Sequence, residues 1–132
     1  MSAIVNLETI CAECGMKLVS WARGEEQVAI CENLINKALG ILVENGFYAM
    51  GVYLTSRKDK EKDGAKHILR ELMTMLFENP VKLMKSGFAD KVDVDLEAIR
   101  EVTKDLPRLM LARRLAENAL TFGRYHCKAI KG

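Results

Sequence analysis

The chain has 132 residues, a formal net charge of +2 and 49% hydrophobic residues, a composition typical of an ordinary globular domain. No run of about 18 apolar residues occurs, and the N-terminus lacks the basic and apolar segments of a secretory signal. We therefore expect one helical domain over residues 1–132, cytoplasmic and without a membrane span. Its four cysteines are then expected to stay reduced.

Two long helices are predicted in the first 46 residues. Apolar residues spaced alternately by three and four positions predict a helix from about residue 3 to about residue 22; they are Ile4, Leu7, Cys11, Cys14, Leu18 and Trp21. The segment RGEE at 23–26 separates it from a second helix with the same spacing from Val28 to Leu42. That helix is expected to end at Asn45 and Gly46, which tolerate a left-handed C-cap.

The middle of the chain alternates apolar and charged segments. FYAMGVYLTSR, at 47–57, is apolar nearly all round and predicts a short buried helix, with a strand as the alternative. Residues 58–64 form a predicted charged loop, and residues 65–80 a helix that ends at Pro80. Residues 80–93 are expected to contain a short helix and a loop.

Two further helices complete the prediction. DLEAIREVTKDLP, at 95–107, indicates a short helix capped by Asp93 or Asp95, and Pro107 suits the first turn of the last helix. One apolar line of that last helix contains Leu111, Leu115, Ala119 or Asn118, Phe122 and His126. Since no alternating strand pattern appears, the predicted fold is an all-α, single-domain bundle of about five to seven helices.

The motif CAEC at 11–14 permits a zinc site, a redox couple or core packing. A zinc site would need Cys11, Cys14, Cys31 and either Cys127 or His126 to converge, although Cys31 and Cys127 are not a second closely spaced pair. A thioredoxin-like couple would need a preceding strand. Because the cysteines lie on apolar helical stripes, core packing is favoured, and we expect no metal or other cofactor. A helical metal- or thiol-dependent protein using Cys11 and Cys14 stays an alternative.

The sequence lacks motifs for catalysis, and the distribution of charge says more about possible binding partners. There is no phosphate loop, no dinucleotide-binding glycine motif and no nucleophile elbow, so we expect no enzyme. Residues 57–70 carry six Lys or Arg and three Asp or Glu, and residues 104–132 carry seven and two. Such basic segments bind polyanions or form an ordinary solvated helix face, and charge alone does not separate these readings.

Two segments resemble the small α-helical subunit of the type III-B CRISPR (Cmr) effector complex. In that family an apolar helix is followed by Asn-Gly-Leu-Gly-Gln and by a second apolar helix with Ala-Phe-Leu and a Ser-Lys end. Residues 38–57, ALGILVENGFYAMGVYLTSR, supply Asn45, Gly46, Phe47, Val52, Tyr53, Leu54, Ser56 and Arg57 at these positions. In the last helix, ENALTFGRYHCKA resembles the family's Glu-Ala-Leu, aromatic and basic pattern. Tyr48 and Ala49 replace Gly-Gln, and Gly51 stands where a large apolar residue is usual.

The resemblance implies a non-catalytic subunit of an antiviral, RNA-guided complex. Such subunits stack end to end beside the backbone subunits that hold the guide RNA, and their basic faces line the groove for target RNA. Cleavage of the target belongs to a neighbouring subunit. The implied partners are other complex subunits, guide and target RNA, and further copies of the chain. The implied RNA-binding residues are Arg57, Lys58, Arg113, Arg114, Arg124 and Lys128. A helical protein-interaction module without nucleic acid is a further alternative.

Overall fold

Helices form almost all of the regular structure in the computed structural model, which describes residues 6–131. Within that range the elements are α1 (Leu7–Val19), α2 (Gly24–Asn45), α3 (Phe47–Thr55), α4 (Lys62–Phe77), α5 (Val92–Thr103) and α6 (Leu106–Lys131), with a 3₁₀ turn at Asp59–Glu61. The prediction of an all-α, single-domain bundle of five to seven helices is confirmed. None of the helices in residues 6–131 is both long and apolar enough to cross a membrane.

The core is organised around α6, which packs along both α1 and α2. Small residues bring the backbones together, because Gly15 of α1 faces Gly123 of α6 at the crossing. On the other side of this layer, α4 contacts α1, and α3 packs against α2, α4 and α5. Each of the six helices contributes to the largest fully buried side chains, and the loops contribute none. These residues are Leu18, Leu34, Ile35, Leu42, Met50, Ile68, Leu69, Leu72, Met73, Leu76, Ile99 and Leu115.

The predicted boundaries in the first half agree with the structure in part. The helix predicted to end at about residue 22 ends at Val19, and α2 begins at Gly24, inside the segment 23–26 that was predicted to separate the two helices. Asn6 caps α1 by accepting a hydrogen bond from the Thr9 N–H at 3.2 Å, and the predicted start at residue 3 lies outside the described residues. The predicted end of α2 is confirmed at Asn45. Gly46 follows with φ +103°, and its N–H donates to the carbonyls of Ile41 and Leu42. The segment at 47–55 is a helix, so the strand alternative is wrong.

Several boundaries in the second half differ from the prediction. The charged segment 58–64 contains the 3₁₀ turn and the first turn of α4, so the loop prediction is wrong from residue 59. The helix predicted to end at Pro80 ends at Phe77, and residues 80–93 contain no short helix before α5 begins at Val92. Lys91 occupies the N-cap of α5 without a side-chain cap, and Asp95 instead accepts a hydrogen bond from the Ala89 N–H.

The buried line of α6 also differs from the predicted one. Pro107 lies in the first turn as predicted. Leu115 and Ala119 are buried, whereas Leu111 is exposed and Phe122 and His126 are half-buried. The residues of α6 that enter the core are instead Ala112, Leu115, Ala116, Ala119, Leu120, Gly123 and Cys127. The buried line of α6 is therefore rotated, relative to the predicted one, toward the small residues that allow α1 to approach closely.

Arg108 of α6 joins that helix to α5 by an ion pair and to the segment between α4 and α5 by hydrogen bonds. The Arg108 guanidinium donates to both carboxylate oxygens of Glu101, at 3.0 and 2.9 Å, and to the Leu83 carbonyl at 3.1 and 2.7 Å. Lys85 adds a second cation 3.2 Å from Glu101. The hydrogen bond from Arg108, followed by that from Lys85, holds the pKa of Glu101 at about 2. Arg108 is thus a structural cation.

This ion pair predicts a pH dependence of stability. Because the pKa of Glu101 in the folded chain is below its ordinary value of 4.5, its stabilising contribution is complete above pH 4.5 and is lost as the pH falls toward 2. Glu101→Gln is therefore expected to be less stable than the wild type at pH 7 and to approach it near pH 2. Urea unfolding followed by circular dichroism at several pH values measures this; a constant difference across the range would contradict it.

Candidate nucleic-acid interface

Three of the predicted RNA-binding residues lie along one side of α6. Arg113 and Arg124 are eleven positions apart, which is about three helical turns, and Lys128 follows Arg124 by about one turn. This side of α6 faces the second half of α2, since Arg113 contacts Val43, and Arg124 and Lys128 line a space beside it. The helical repeat thus places cations from three separate turns beside the same neighbouring helix.

Between these helices lies an open groove of about 640 Å³, here called the α2–α6 groove. Its α6 wall contains Arg124, Tyr125 and Lys128. Its α2 wall consists of Asn36, Leu39, Gly40, Val43 and Glu44. Glu44 is the one acidic residue among these lining residues, against two cations, so the groove has a positive balance. A polyanion is favoured there over a cation.

Arg124 and Tyr125 give the groove its most distinctive chemistry. The Nε atom of Arg124 is buried and has no hydrogen-bond partner among the described residues. The guanidinium carbon lies 5.9 Å from the centre of the Tyr125 ring, and Tyr125 is 59% exposed. A guanidinium that lines an open groove can bind a phosphate, and an exposed aromatic ring beside it can stack on a base. The pair therefore suits single-stranded nucleic acid.

Arg113, in the first half of α6, binds a backbone group of α2. Its guanidinium donates a hydrogen bond to the Val43 carbonyl in the last turn of α2. No basic residue lies in the last turn of α2, so Arg113 supplies the cation that favours a helix C-terminus. Arg113 is therefore less available for a ligand than Arg124 and Lys128.

The other three predicted residues lie outside the groove. Arg57 packs over the Tyr53 ring at 4.4 Å, donates to the Tyr53 carbonyl at 3.2 Å and lies 3.7 Å from Glu61. Lys58 is exposed at the start of the 3₁₀ turn. Arg114 is exposed on α6 and forms no ion pair with the described residues. As the residue after Arg113, it is rotated from Arg113 by about 100° around the helix axis. The six predicted residues thus do not form one continuous surface.

Other cations of the basic C-terminal segment are engaged in ion pairs. Arg108 holds Glu101, and Lys131 lies 2.8 Å from Glu32 of α2. The hydrogen bond from Lys131, with a smaller contribution from Lys128, lowers the pKa of Glu32. The excess positive charge that remains available on α6 is therefore concentrated at Arg114, Arg124 and Lys128.

The four cysteines are free and buried, and the thiols of Cys31 and Cys127 lie close enough to interact with each other. The thiols of Cys11, Cys14 and Cys31 donate to the carbonyls of Leu115, Glu71 and Leu18 at 3.6, 3.6 and 3.7 Å. Burial, with the nearby Glu71, raises the pKa of Cys14 to about 12, which disfavours the thiolate that binds metals. Within residues 6–131, no group of three or more His, Cys, Asp or Glu is placed to hold a metal ion.

Tyr125 and Gly40 were not predicted from the sequence. The signal for Tyr125 is its position between Arg124 and Lys128 in GRYHCK, because aromatic residues interleaved with basic ones are typical of surfaces that bind single strands. Gly40 lies in the interior of α2, where glycine is unfavourable by about 1 kcal/mol relative to alanine. A Cβ atom at Gly40 would meet no atom within 4 Å, so packing does not require the glycine.

Comparison with known proteins gives no relative for this chain. No family model matches it, and neither a curated protein nor a solved structure does. The functional interpretation therefore depends on the residues, their geometry and the sequence resemblance.

Proposed function

We propose that the chain is a non-catalytic subunit of an RNA-guided effector complex of the type III-B CRISPR (Cmr) kind, and that it holds RNA in the α2–α6 groove. The observation that carries this proposal is the group formed by Arg124, Tyr125 and Lys128 in an open groove. Arg124 offers a guanidinium in the groove wall, Lys128 offers an exposed ammonium, and Tyr125 offers an exposed ring.

The chemistry of the groove supports binding without sequence preference. Arginine and lysine contact phosphate oxygens, and aromatic stacking accepts any base. A subunit of this kind leaves the reading of sequence to base pairing between guide and target, as in other RNA-guided effectors. The proposed role of the groove is to position RNA, as expected for the non-catalytic subunit that the resemblance implies.

The proposed partners are other subunits of the complex and further copies of this chain. Acidic segments precede and separate the basic ones in the sequence, so different parts of the surface carry opposite charge. Opposite charges favour contact between stacked copies and between the chain and its neighbours. Cytoplasmic location belongs to the same proposal, since guide RNA and its complex operate there.

A second candidate function is a helical interaction module that binds only protein. The observation that favours it is the exposed apolar start of α6, where Leu106 is 64% and Met110 63% exposed. Apolar side chains this exposed on one helical face are typical of contact surfaces. The two functions differ in their prediction for RNA, because the module binds none.

Substitutions at Gly40 test whether RNA occupies the groove. Because a side chain here meets no neighbour, Gly40→Ala is expected to raise the free energy of unfolding by about 1 kcal/mol and to leave RNA binding unchanged. Gly40→Glu places a carboxylate between Arg124 and the phosphates and is expected to weaken binding about tenfold. Fluorescence anisotropy with a labelled single-stranded RNA at low salt measures both.

The alanine variant is the matched control for the glutamate variant, because both add a side chain at the same open position. Equal RNA affinity of the two variants would contradict binding in the α2–α6 groove. Absence of any salt-dependent RNA binding by the wild-type chain would favour the interaction module.

A further inference from the structure

A second cleft, of about 260 Å³, lies between the end of α3, the start of α4 and the segment before α5. It is separate from the α2–α6 groove, since the two share no lining residue. Its charged walls contain Arg57, Lys62, Lys66, Asp90 and Asp95, and Phe88 contributes an aromatic side chain. We call it the α3–α5 cleft. Its volume is below the usual range for drug-sized ligands, which favours a small ligand.

The lining residues of the α3–α5 cleft include three cations and two carboxylates, and Arg57 has a further carboxylate partner in Glu61. Lys66 forms an ion pair with Asp90 at 3.2 Å, which neutralises both partners. Arg57 is held against the Tyr53 ring, with Glu61 at 3.7 Å, and Lys62 forms no ion pair with the described residues. Lys62 is therefore the cation of this cleft that is available to an anionic group such as a phosphate.

Asp95 provides an acceptor in the wall of the same cleft. It is 2% exposed, and its Oδ1 accepts a hydrogen bond from the Ala89 N–H at 2.7 Å. No other hydrogen bond from residues 6–131 reaches this carboxylate, so its second oxygen has no protein donor. Because Asp95 is one of the residues that line the cleft, a ligand there can supply a donor to this oxygen. A ligand that brings an N–H group to Asp95 would replace the missing bond.

We propose that the α3–α5 cleft binds a nucleotide whose base carries an exocyclic amine, with cytidine preferred. The amine donates to Asp95, the ring lies against Phe88 and the apolar wall, and the phosphate contacts Lys62. Carboxylates accept from the cytosine amine, whereas uracil presents a carbonyl oxygen at the same ring position. A free nucleotide and the terminal nucleotide of an RNA chain present the same chemistry. The proposal is independent of RNA binding in the α2–α6 groove.

The test uses the full-length, ¹⁵N-labelled chain titrated with cytidine monophosphate, uridine monophosphate or inorganic phosphate. Cytidine monophosphate is expected to shift amide signals at residues 54–69 and 88–95 and to bind about tenfold or more tightly than uridine monophosphate. Asp95→Asn keeps an acceptor for Ala89 and adds a donor, so it is expected to reverse this preference. Lys62→Ala is expected to weaken both nucleotides, and Lys104→Ala, outside the cleft, neither.

Short RNAs with a terminal cytidine phosphate are titrated in the same way, to distinguish a free nucleotide from the end of an RNA chain. Binding of these RNAs with the same shifts assigns the cleft to an RNA end, and binding of the mononucleotide alone assigns it to a free nucleotide. Equal affinity for the three small ligands, or absence of shifts around the cleft, would overturn the proposal. If Asp95→Asn does not fold, unchanged nucleotide affinity in Lys62→Ala would overturn it as well.

Discussion

Gly15→Ala is expected to lower the free energy of unfolding by about 2 kcal/mol, although alanine is the better helix former. A Cβ atom at Gly15 would lie 2.6 Å from the Phe122 Cβ, 2.9 Å from the Ala119 carbonyl oxygen and 2.9 Å from the Gly123 nitrogen. Two of these atoms belong to the α6 backbone, so no side-chain rotation relieves the contact. The helices must separate at the centre of the core, and the loss of packing exceeds the gain of about 1 kcal/mol in helix propensity.

Gly40→Ala is the matched control, because it makes the same substitution in a helix where the new methyl group meets nothing within 4 Å. The two variants are expected to change stability in opposite directions in urea unfolding followed by circular dichroism. Equal stabilisation by both would show that α1 and α6 do not approach each other as closely as described. It would then also contradict the position of α6, which supplies one wall of the α2–α6 groove.

Reversing the charge of Arg124 and Lys128 together is expected to reduce RNA affinity about 100-fold at low salt, since two phosphate contacts are lost and two carboxylates repel the strand. The dependence of log affinity on log salt is expected to become shallower by about 1.4, the value for two lost contacts to a single strand. The double variant Arg124→Glu, Lys128→Glu is measured by anisotropy across a range of salt concentrations.

Lys91→Glu with Lys104→Glu is the control, because it changes the net charge equally at exposed residues that do not line the groove. Arg114→Glu, on α6 but outside the groove, is expected to have a smaller effect than either groove residue. Equal loss of affinity in both double variants would mean that RNA responds only to overall charge, and the α2–α6 groove would then have no special role.

The helices were largely predictable because apolar spacing is a local property of the sequence. α1 and α2 follow the alternating spacing of three and four, and Gly46 marks the end of α2 by its positive φ. The segment at 80–93 was not predictable in the same way. Its chain direction depends on the N–H groups of Leu83 and Met84, which donate to the Leu76 carbonyl at 2.8 and 3.1 Å, and on Arg108, which is distant in sequence.

The candidate site was predictable only in part, for a related reason. The helical repeat brings Arg124 and Lys128 to one side of α6, and this could be read from the sequence. The structural roles of Arg113 and Arg57 could not be predicted from the sequence. Each depends on a hydrogen bond to a backbone carbonyl, that of Val43 or of Tyr53, whose position is set by the fold. Tyr125 was identifiable by residue type, but its exposure beside Arg124 depends on how α2 and α6 pack.

The proposal that this chain works inside an RNA-guided complex is tested most directly by native purification of the tagged chain from its own host, with analysis of the bound proteins and short RNAs. The proposal predicts several larger subunits together with guide-length RNA. It further predicts that target RNA is lost from the purified complex when Arg124 and Lys128 are reversed in charge. A chain that purifies alone, or with protein partners but without RNA, would contradict it.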